Sequence, residues 1–384
     1  MPLFSDPSVG IAEPLLRHAY RAAERGRGGV SPNPLVGCVI ARDGVPIAEG
    51  HHERTGGPHA EIVALALAGE QARGADVYVT LEPCNHHGRT PPCVDALLSA
   101  GVVSVTIGMP DCNIGVSGGG AGALARAGVR VAWAADPRPF ERQNEAWLHR
   151  LRTGRPFVRV KVALSLDGHA ALAVGRRSRI SGEGGSDVTM RLRADATAVA
   201  VGAGTVAIDD PRLTVRSADG DTVRTPRRYV LARTTLPGPG ARLFVDPAQP
   251  TTVLIAAGGT EYGPDDSVPE AAMRVMTYPA ADGLRGALEV MAADGVDDVL
   301  IEAGPRLLTA LIESALVDEL IVVTAGGFAG SAAPAVFEAA AQSHGDDLVP
   351  AFVPVEVGIA GDDVVTVWRP MHVVAAERGK GSAS

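Results

Sequence analysis

Short apolar runs alternate with stretches of helical periodicity from Ile11 to about Arg150. Ala12–Arg25 carries the spacing of a helix and ends at Gly26. Val36–Ala41 and Val77–Leu81 are β-branched runs of the kind that form strands buried on both faces. Between them, Ala60–Ala68 reads as a helix stopped by Gly69. Pro91 and Pro92 open a further helix, Cys93–Ala100, closed by Gly101. Val102–Ile107 and Val129–Trp133 supply two more strands around a small-residue helix, Ala121–Ala127. The pattern predicts a three-layer α/β domain.

Arg152–Pro156 has the composition of a linker, and a second series follows it. Strands are expected near Phe157–Leu164, Ala198–Val201, Arg228–Ala232, Thr252–Ala256, Asp298–Glu302 and Glu319–Thr324. Helices fit between several of them, Arg306–Ala315 most clearly. Segments 216–227 and 258–269 are rich in Gly, Asp and Thr and read as loops, and no internal repeat is present. The expected division is residues 1–152, residues 153–376 and a disordered tail at 377–384.

A length of 384 residues also favours two domains. With 46% hydrophobic but only 4% aromatic residues, the cores must be packed with aliphatic side chains and alanine. A formal net charge of −9 argues against a polynucleotide partner, whereas a few arginines can still hold a small anion. Four cysteines in so long a chain do not read as a disulfide framework. Neither a signal peptide nor an apolar run of membrane-spanning length stands out, so a soluble, cytoplasmic enzyme is expected.

The chemistry concentrates in Pro58-His-Ala-Glu61, Leu81-Glu-Pro-Cys84 and Pro91-Pro-Cys93. One imidazole, His59, and two thiolates, Cys84 and Cys93, can hold Zn²⁺ and leave a fourth tetrahedral position for water. The metal would lower the pKa of that water. Glu61, two residues beyond His59, is placed to move protons without being a ligand. Cys93 opens a helix, which favours its ionised form. Taken singly, His59 reads as a surface histidine and the cysteines as core thiols. Their joint order is that of zinc base deaminases, a His-x-Glu segment followed by a Pro-Cys segment and a second Cys. Asn85-His-His-Gly-Arg-Thr90 lengthens the interval between the cysteines. A closed structural zinc site would need a fourth ligand such as His86, His87 or Cys112, and would leave Glu61 idle. Cys38, within an apolar strand, reads as core.

These stretches resemble the bifunctional riboflavin-biosynthesis deaminase/reductase family, RibD. The resemblance is carried by Pro32-Asn-Pro-Leu-Val-Gly-Cys38, His59-Ala-Glu61 and Thr80-Leu-Glu-Pro-Cys-Asn-His-His-Gly-Arg-Thr-Pro-Pro-Cys93. In the second half it rests on Lys161-Val-Ala-Leu-Ser-Leu-Asp-Gly168, Thr205 with Asp209-Asp-Pro211, and Ile301-Glu-Ala-Gly-Pro305. It implies a cytidine-deaminase-like α/β/α domain followed by a dihydrofolate-reductase-like α/β domain. The implied substrate is a diaminopyrimidinone bearing a phosphoribosylamino group. The first half would remove its 2-amino group with Zn²⁺, and the second would reduce the ribosyl chain to ribityl with NADPH.

By matching position, the resemblance places Leu164, Arg179, Thr205, Asp209, Gly304, Pro305, Arg306, Leu307, Leu308, Thr309 and Ala310 along the cofactor. It places Asn33, Arg177, Arg193, Leu213, Arg216 and Glu302 at substrate, with arginines meeting the phosphate bidentately. Lys161 and Asp167 join Glu61 as implied catalytic groups, and a homodimer joined through the reductase half is implied. From the residues alone, Lys161 and Asp167 also fit a surface salt bridge, and Asn33 fits a turn. The arginines at 176, 177, 179, 191 and 193 also fit a solvated face. No Gly-x-Gly-x-x-Gly follows a strand, so NADPH comes from the resemblance and not from a phosphate loop. The chain departs from the family pattern at Asp111-Cys-Asn-Ile114 and at Arg179-Ile180, where the family often has Asp-Pro-Asn-Pro and a tryptophan before the isoleucine. Two other functions fit parts of the pattern: a zinc nucleoside or tRNA deaminase with an unrelated second domain, and a non-catalytic, zinc-stabilised binding protein.

Overall fold

Gly154, left-handed at φ 73°, ends a helix, and the chain divides there into two compact units, Met1–Gly154 and Arg155–Ser384. The computed structural model describes residues 3–86, 91–113, 119–234, 236–245, 249–259, 272–336 and 352–374. The stretch expected to link the domains is therefore half helix. Arg152 and Thr153 complete the last turn, while Arg155 is fastened to Asp318 by two bonds of 2.5 and 2.8 Å. The tail at 377–384 and most of the loop expected at 258–269 lie outside the described residues.

In the first unit the elements run α1 (Pro14–Glu24), β1 (Gly37–Arg42), β2 (Val45–His51), α2 (Ala60–Ala68), β3 (Asp76–Leu81) and α3 (Cys93–Ala100). Then follow β4 (Ser104–Met109), α4 (Gly120–Arg126), β5 (Arg130–Trp133), α5 (Arg138–Gln143) and α6 (Glu145–Thr153). The sheet order is β2-β1-β3-β4-β5, with β1 antiparallel to both neighbours and the rest parallel. Cys38, Ile40, Val77, Val79, Val105 and Ile107 bury one face of the sheet against Ala60, Ala64, Leu97 and Leu124 of α2, α3 and α4. On the other face Leu16, Tyr20, Phe140, Trp147 and Leu148 of α1, α5 and α6 cover Leu81 and Met109. Sheet and two helical layers make the expected three-layer domain.

The second unit begins with β6 (Phe157–Leu164), α7 (Glu183–Asp195), β7 (Ala198–Gly202), α8 (Ala203–Asp209), β8 (Val215–Arg216), β9 (Thr222–Arg224) and β10 (Arg227–Ala232). It continues through β11 (Thr251–Ala256), β12 (Met273–Tyr278), α9 (Gly283–Ala293), β13 (Asp298–Glu302) and α10 (Pro305–Glu313). It ends with β14 (Glu319–Thr324), β15 (Phe352–Ala360) and β16 (Asp363–Pro370). The short β8–β9 hairpin, starting at Val215, takes up part of the segment 216–227 expected to be loop. Among the described residues one sheet has the order β12-β11-β10-β7-β13-β6-β14-β16-β15, parallel except at β16.

That order decides where a site can form. After β6 the chain crosses to β7 on one side, whereas after β13, the neighbour of β6, it crosses to β14 on the other. Adjacent parallel strands whose connections diverge leave a crevice at their carboxyl ends, the usual ligand position in open α/β sheets. At the amino ends a buried polar network closes the sheet instead. Asp298 pairs with Arg159 and accepts from the Thr197 amide and hydroxyl at 3.0 and 2.7 Å. The N-cap of α7 is Gly182, which has no side chain to cap with. Asp363 of β16 supplies the acceptor, its Oδ2 lying 2.9 Å from the amides of both Gly182 and Gly185.

Candidate active sites

The first cluster is assembled from the starts of two helices and one strand exit. His59 is the extended N-cap of α2, Cys93 is the first residue of α3, and Cys84 follows β3. The Cys93 amide donates to Cys84 Sγ at 3.3 Å, and the Val94 amide to the Cys84 carbonyl at 3.3 Å, so the α3 terminus anchors the Cys84 loop. His59 Nδ1 lies 3.2 Å from Cys93 Sγ and 3.5 Å from Cys84 Sγ. Among the described residues these three form the one group of His, Cys or carboxylate side chains close enough to share a metal. Zinc bonds of about 2.0–2.3 Å at tetrahedral angles put ligand atoms roughly 3.6–3.8 Å apart, so the three fit zinc with little adjustment. His86 and Cys112 are exposed and outside the group, and His87 lies outside the described residues.

The hydrogen bonds among these three side chains are not shared evenly. The Cys84 thiol is held well below its usual range, chiefly because the Cys93 side chain donates to it, with His59 and the Cys93 amide adding to the effect. Cys93 is pushed up by the same bond and by burial. Within this arrangement Cys84 accepts the hydrogen bonds of the Cys93 amide and side chain. Glu61 is buried beneath the cluster at 3% exposure, and that burial raises its carboxyl above the usual range.

A cleft opens over these groups, lined by Asn33, His52, His86, Asp111, Asn113 and Arg150 among others. His52 was not singled out in the sequence. Its Nδ1 lies 3.0 Å from the Pro58 carbonyl, which can only accept, so Nδ1 carries the hydrogen. Burial keeps the ring neutral, leaving Nε2 to accept from the Asn33 amide nitrogen at 3.0 Å. Asn33 is thereby turned with its carbonyl oxygen free of His52. Arg150 of α6 donates to the Pro32 carbonyl at 3.0 Å and holds the Pro32–Pro34 turn at the cleft. Arg150 and Trp147 also went unnoticed in the sequence, since they arrive on a helix remote from the motifs.

The second cluster sits at the carboxyl ends of β6 and β13. Lys161 and Glu302 are direct register partners on those strands. Arg193 of α7 grips Glu302 with Nε–Oε1 at 2.6 Å and Nη2–Oε2 at 3.0 Å, and its Nη1 donates to the Thr214 carbonyl at 2.9 Å. The bidentate partner of Arg193 is thus a carboxylate within the protein rather than the phosphate expected for it. Burial pushes the Lys161 ammonium down, against the pull of Glu302. Burial also works against the Glu302 charge, but Arg193 and Lys161 hold its carboxyl below the usual range.

The other residues expected here divide into two groups. Gly304 caps α10 directly opposite α8, where a Cβ on it would come within 3.3 Å of Thr205 Oγ1. Thr205 and the Gly304–Pro305 start of α10 therefore meet beyond the ends of β7 and β13, while Leu164 is the last residue of β6 and Asp209 the last of α8. Asp209 is raised by burial, with Arg177 opposing. By contrast, Leu308 is in the core and Thr309 is buried, while Arg306, Arg177, Arg179 and Arg216 are exposed. Leu307 packs against the core from α10, whose next turn carries Ala310. Arg179 is 3.5 Å from Ser186 Oγ. Leu213 is fully buried with φ 53°. Asp167 accepts from Ser165 Oγ at 2.6 Å and from the amides of Ala329 and Gly330 at 2.9 and 2.8 Å, so its carboxylate clamps one loop to another.

Comparison with known proteins matches a family model to each unit. The cytidine and deoxycytidylate deaminase zinc-binding region matches residues 11–109, and the RibD C-terminal domain matches residues 156–361. The riboflavin biosynthesis protein RibD of Escherichia coli K12 is 39% identical over 329 residues, covering 82% of this chain and 88% of that one. The chain belongs to the RibD family. The RibD of Haemophilus influenzae is 34% identical over 93% of this chain and 97% of its own. An Acinetobacter baumannii RibD structure superposes with a TM-score of 0.83 at 35% identity, covering 94% and 98% of the two chains. A Thermotoga maritima deaminase/reductase structure gives 0.79 at 30% identity, covering 93% and 98%. As a RibD, the protein is a bifunctional enzyme of riboflavin biosynthesis, a zinc-dependent deaminase joined to an NADPH-dependent reductase of dihydrofolate-reductase-like fold. It acts on small molecules, and among the described residues no helix is long and apolar enough to cross a membrane.

Proposed function

We propose that the enzyme deaminates 2,5-diamino-6-(5-phosphoribosylamino)pyrimidin-4(3H)-one and then reduces the ribosyl chain, giving 5-amino-6-(5-phosphoribitylamino)uracil. The observation carrying the first step is the convergence of His59, Cys84 and Cys93 beside buried Glu61 at the floor of a cleft. Those three residues would hold zinc, and the ion would supply an acidified water as the source of hydroxide near neutral pH. Glu61 takes the proton released there and delivers it to the departing 2-amino group, a transfer favoured by its raised pKa. Asn33, oriented by His52, presents its carbonyl oxygen to the pyrimidine edge.

For the second step NADPH supplies a hydride. Leu164, Thr205, Asp209 and the Gly304–Pro305 start of α10 would hold the cofactor. Lys161 holds the proton that the opened sugar takes up, and Glu302 with Arg193 fixes Lys161 in line with the crevice. Exposed Arg177, Arg179 and Arg216 offer charge to the phosphates of substrate and cofactor. Asp167 acts through the 329–330 loop rather than on the sugar.

The working form is a cytoplasmic homodimer joined through the reductase unit. Edge strand β15 supports this, since Val357 and Ile359 expose 63% and 77% of their surface. Sedimentation equilibrium tests it, and a monomer at micromolar concentration rejects it.

One assay tests both chemical steps. With the phosphoribosyl diaminopyrimidinone supplied, ammonia release is followed first, then NADPH absorbance. Glu61→Gln should stop ammonia release while zinc content stays at wild type. Faster ammonia release from cytidine or tRNA than from this substrate would overturn the substrate assignment. Ammonia release unchanged by Glu61→Gln would overturn the role of Glu61.

A further inference from the structure

Glu82 lies between the end of β3 and the metal-ligating Cys84, and the chemistry described above gives it no task. It is buried at 8% exposure and is among the residues that line the cleft. A carboxylate so placed needs partners, and among the described residues it has two, both backbone amides. Its Oε2 accepts from Asp111 at 3.3 Å and its Oε1 from Ala121 at 3.0 Å. Those amides stand at opposite ends of the connection from β4 to α4. Asp111 in turn accepts from the Asn113 amide at 2.9 Å, and both residues line the cleft above His59 and Glu61. Gly120 shows how tightly the same connection is docked. A Cβ there would fall 1.9 Å from the Pro83 carbonyl oxygen, so only glycine lets α4 start against the Glu82–Pro83 segment.

One short segment thus serves two purposes. Cys84 faces the metal, and two residues earlier Glu82 fastens the opposite wall of the cleft. We propose that Glu82 is a positioning residue for deamination, which fixes Asp111–Asn113 so that its polar groups meet the substrate. This rests on the reading that the cleft binds the phosphoribosyl diaminopyrimidinone. Asp111 and Asn113 belong to the stretch where this chain departs from the family pattern, and their anchoring by Glu82 explains how that stretch can still form a wall. The effect of Glu82 should fall on binding, because its oxygens reach the loop and not the reacting atoms.

The test is Glu82→Gln, which keeps one acceptor oxygen and turns an N–H₂ toward the other amide. The deaminase KM should rise about tenfold or more while kcat stays within about threefold. Zinc stoichiometry should stay at wild type, as should NADPH oxidation on the pre-deaminated substrate, which reports an intact chain. Gly120→Ala, which leaves Glu82 and the cysteines untouched but pushes α4 off Pro83, should also raise KM selectively. It carries the test if the glutamine variant does not hold zinc. An unchanged KM in both variants overturns the proposal. So does a fall in kcat that tracks zinc loss in both, which would make Glu82 a support for Cys84. If wild-type protein releases no ammonia from this substrate, the substrate reading fails instead, a result distinguishable from either.

Discussion

Replacing Arg193 by methionine separates two accounts of the reductase crevice. The side chains of Arg193 and Glu302 are only 10% and 20% exposed, and two short bonds join them. Removing one partner of such a buried pair typically costs about 3–5 kcal/mol, because the remaining charge stays buried without compensation. Lys161 still faces Glu302 across the strand register, so the lower end, about 3 kcal/mol, is expected. For a unit of this size each kcal/mol shifts the midpoint by about 2–4 °C, giving a fall of about 6–12 °C. Calorimetry reads this as a downward shift of the reductase transition, with zinc content and ammonia release unchanged. Adding Glu302→Leu should recover most of the loss, since an apolar pair can replace a buried ion pair at little cost. If Arg193 instead serves the substrate phosphate, Arg193→Met leaves stability within about 1 kcal/mol and raises the reductase KM. That outcome would refute the reasoning.

Lys161→Met should abolish NADPH oxidation and spare ammonia release. Burial holds the Lys161 pKa below its unfolded value near 10.4, so the unfolded chain binds more protons between the two values. Wild-type stability should therefore gain from this group as pH rises toward about 10, and urea midpoints from pH 7 to 10 should rise less steeply in the variant; identical slopes would show that the Lys161 ammonium is not depressed. Asp363→Ala should cost about 1–2 kcal/mol by uncapping α7, with faster amide exchange confined to its first turn as the check. Asp167 has its carboxyl held well below the usual range, first by the Ser165 hydroxyl and then by the Ala329 and Gly330 amides. Its stabilisation is present above about pH 4 and lost as pH falls further. Asp167→Asn should loosen residues 329–330 at pH 7, with wild type and variant drawing together as pH falls below about 4; a difference that does not shrink over that range contradicts this.

What could be read from the sequence tracks how local its cause is. Strands β6, β13 and β14 are found where their near-continuous apolar runs place them, because strands buried on both faces have no other use for polar positions. Strand β2 was missed. Val45-Pro-Ile-Ala-Glu-Gly-His51 is half exposed and contains a proline, and its only signal was Asp43-Gly44, the two-residue turn joining it to β1. That omission hid His52, whose value comes from standing at the end of β2 against Pro58 and Asn33. Strands β15 and β16 were missed for a related reason. As an edge hairpin, β15 leaves Val355, Val357 and Ile359 outward, where apolar content no longer marks a core.

The same distinction separates the two sites. Each of His59, Cys84 and Cys93 lies at a helix start or strand exit bonded to the next, so the proposed donor set is written into short motifs. The reductase crevice exists because β13 is inserted between β7 and β6, sending neighbouring connections to opposite sides. Its central pair joins Arg193 to Glu302, 109 positions apart. No glycine-rich phosphate loop is needed at such a place, since the converging strand ends, rather than one turn, form the site. A missing dinucleotide fingerprint therefore carries little weight against NADPH in this topology, and the residues to mutate are those at the ends of β6, β7 and β13.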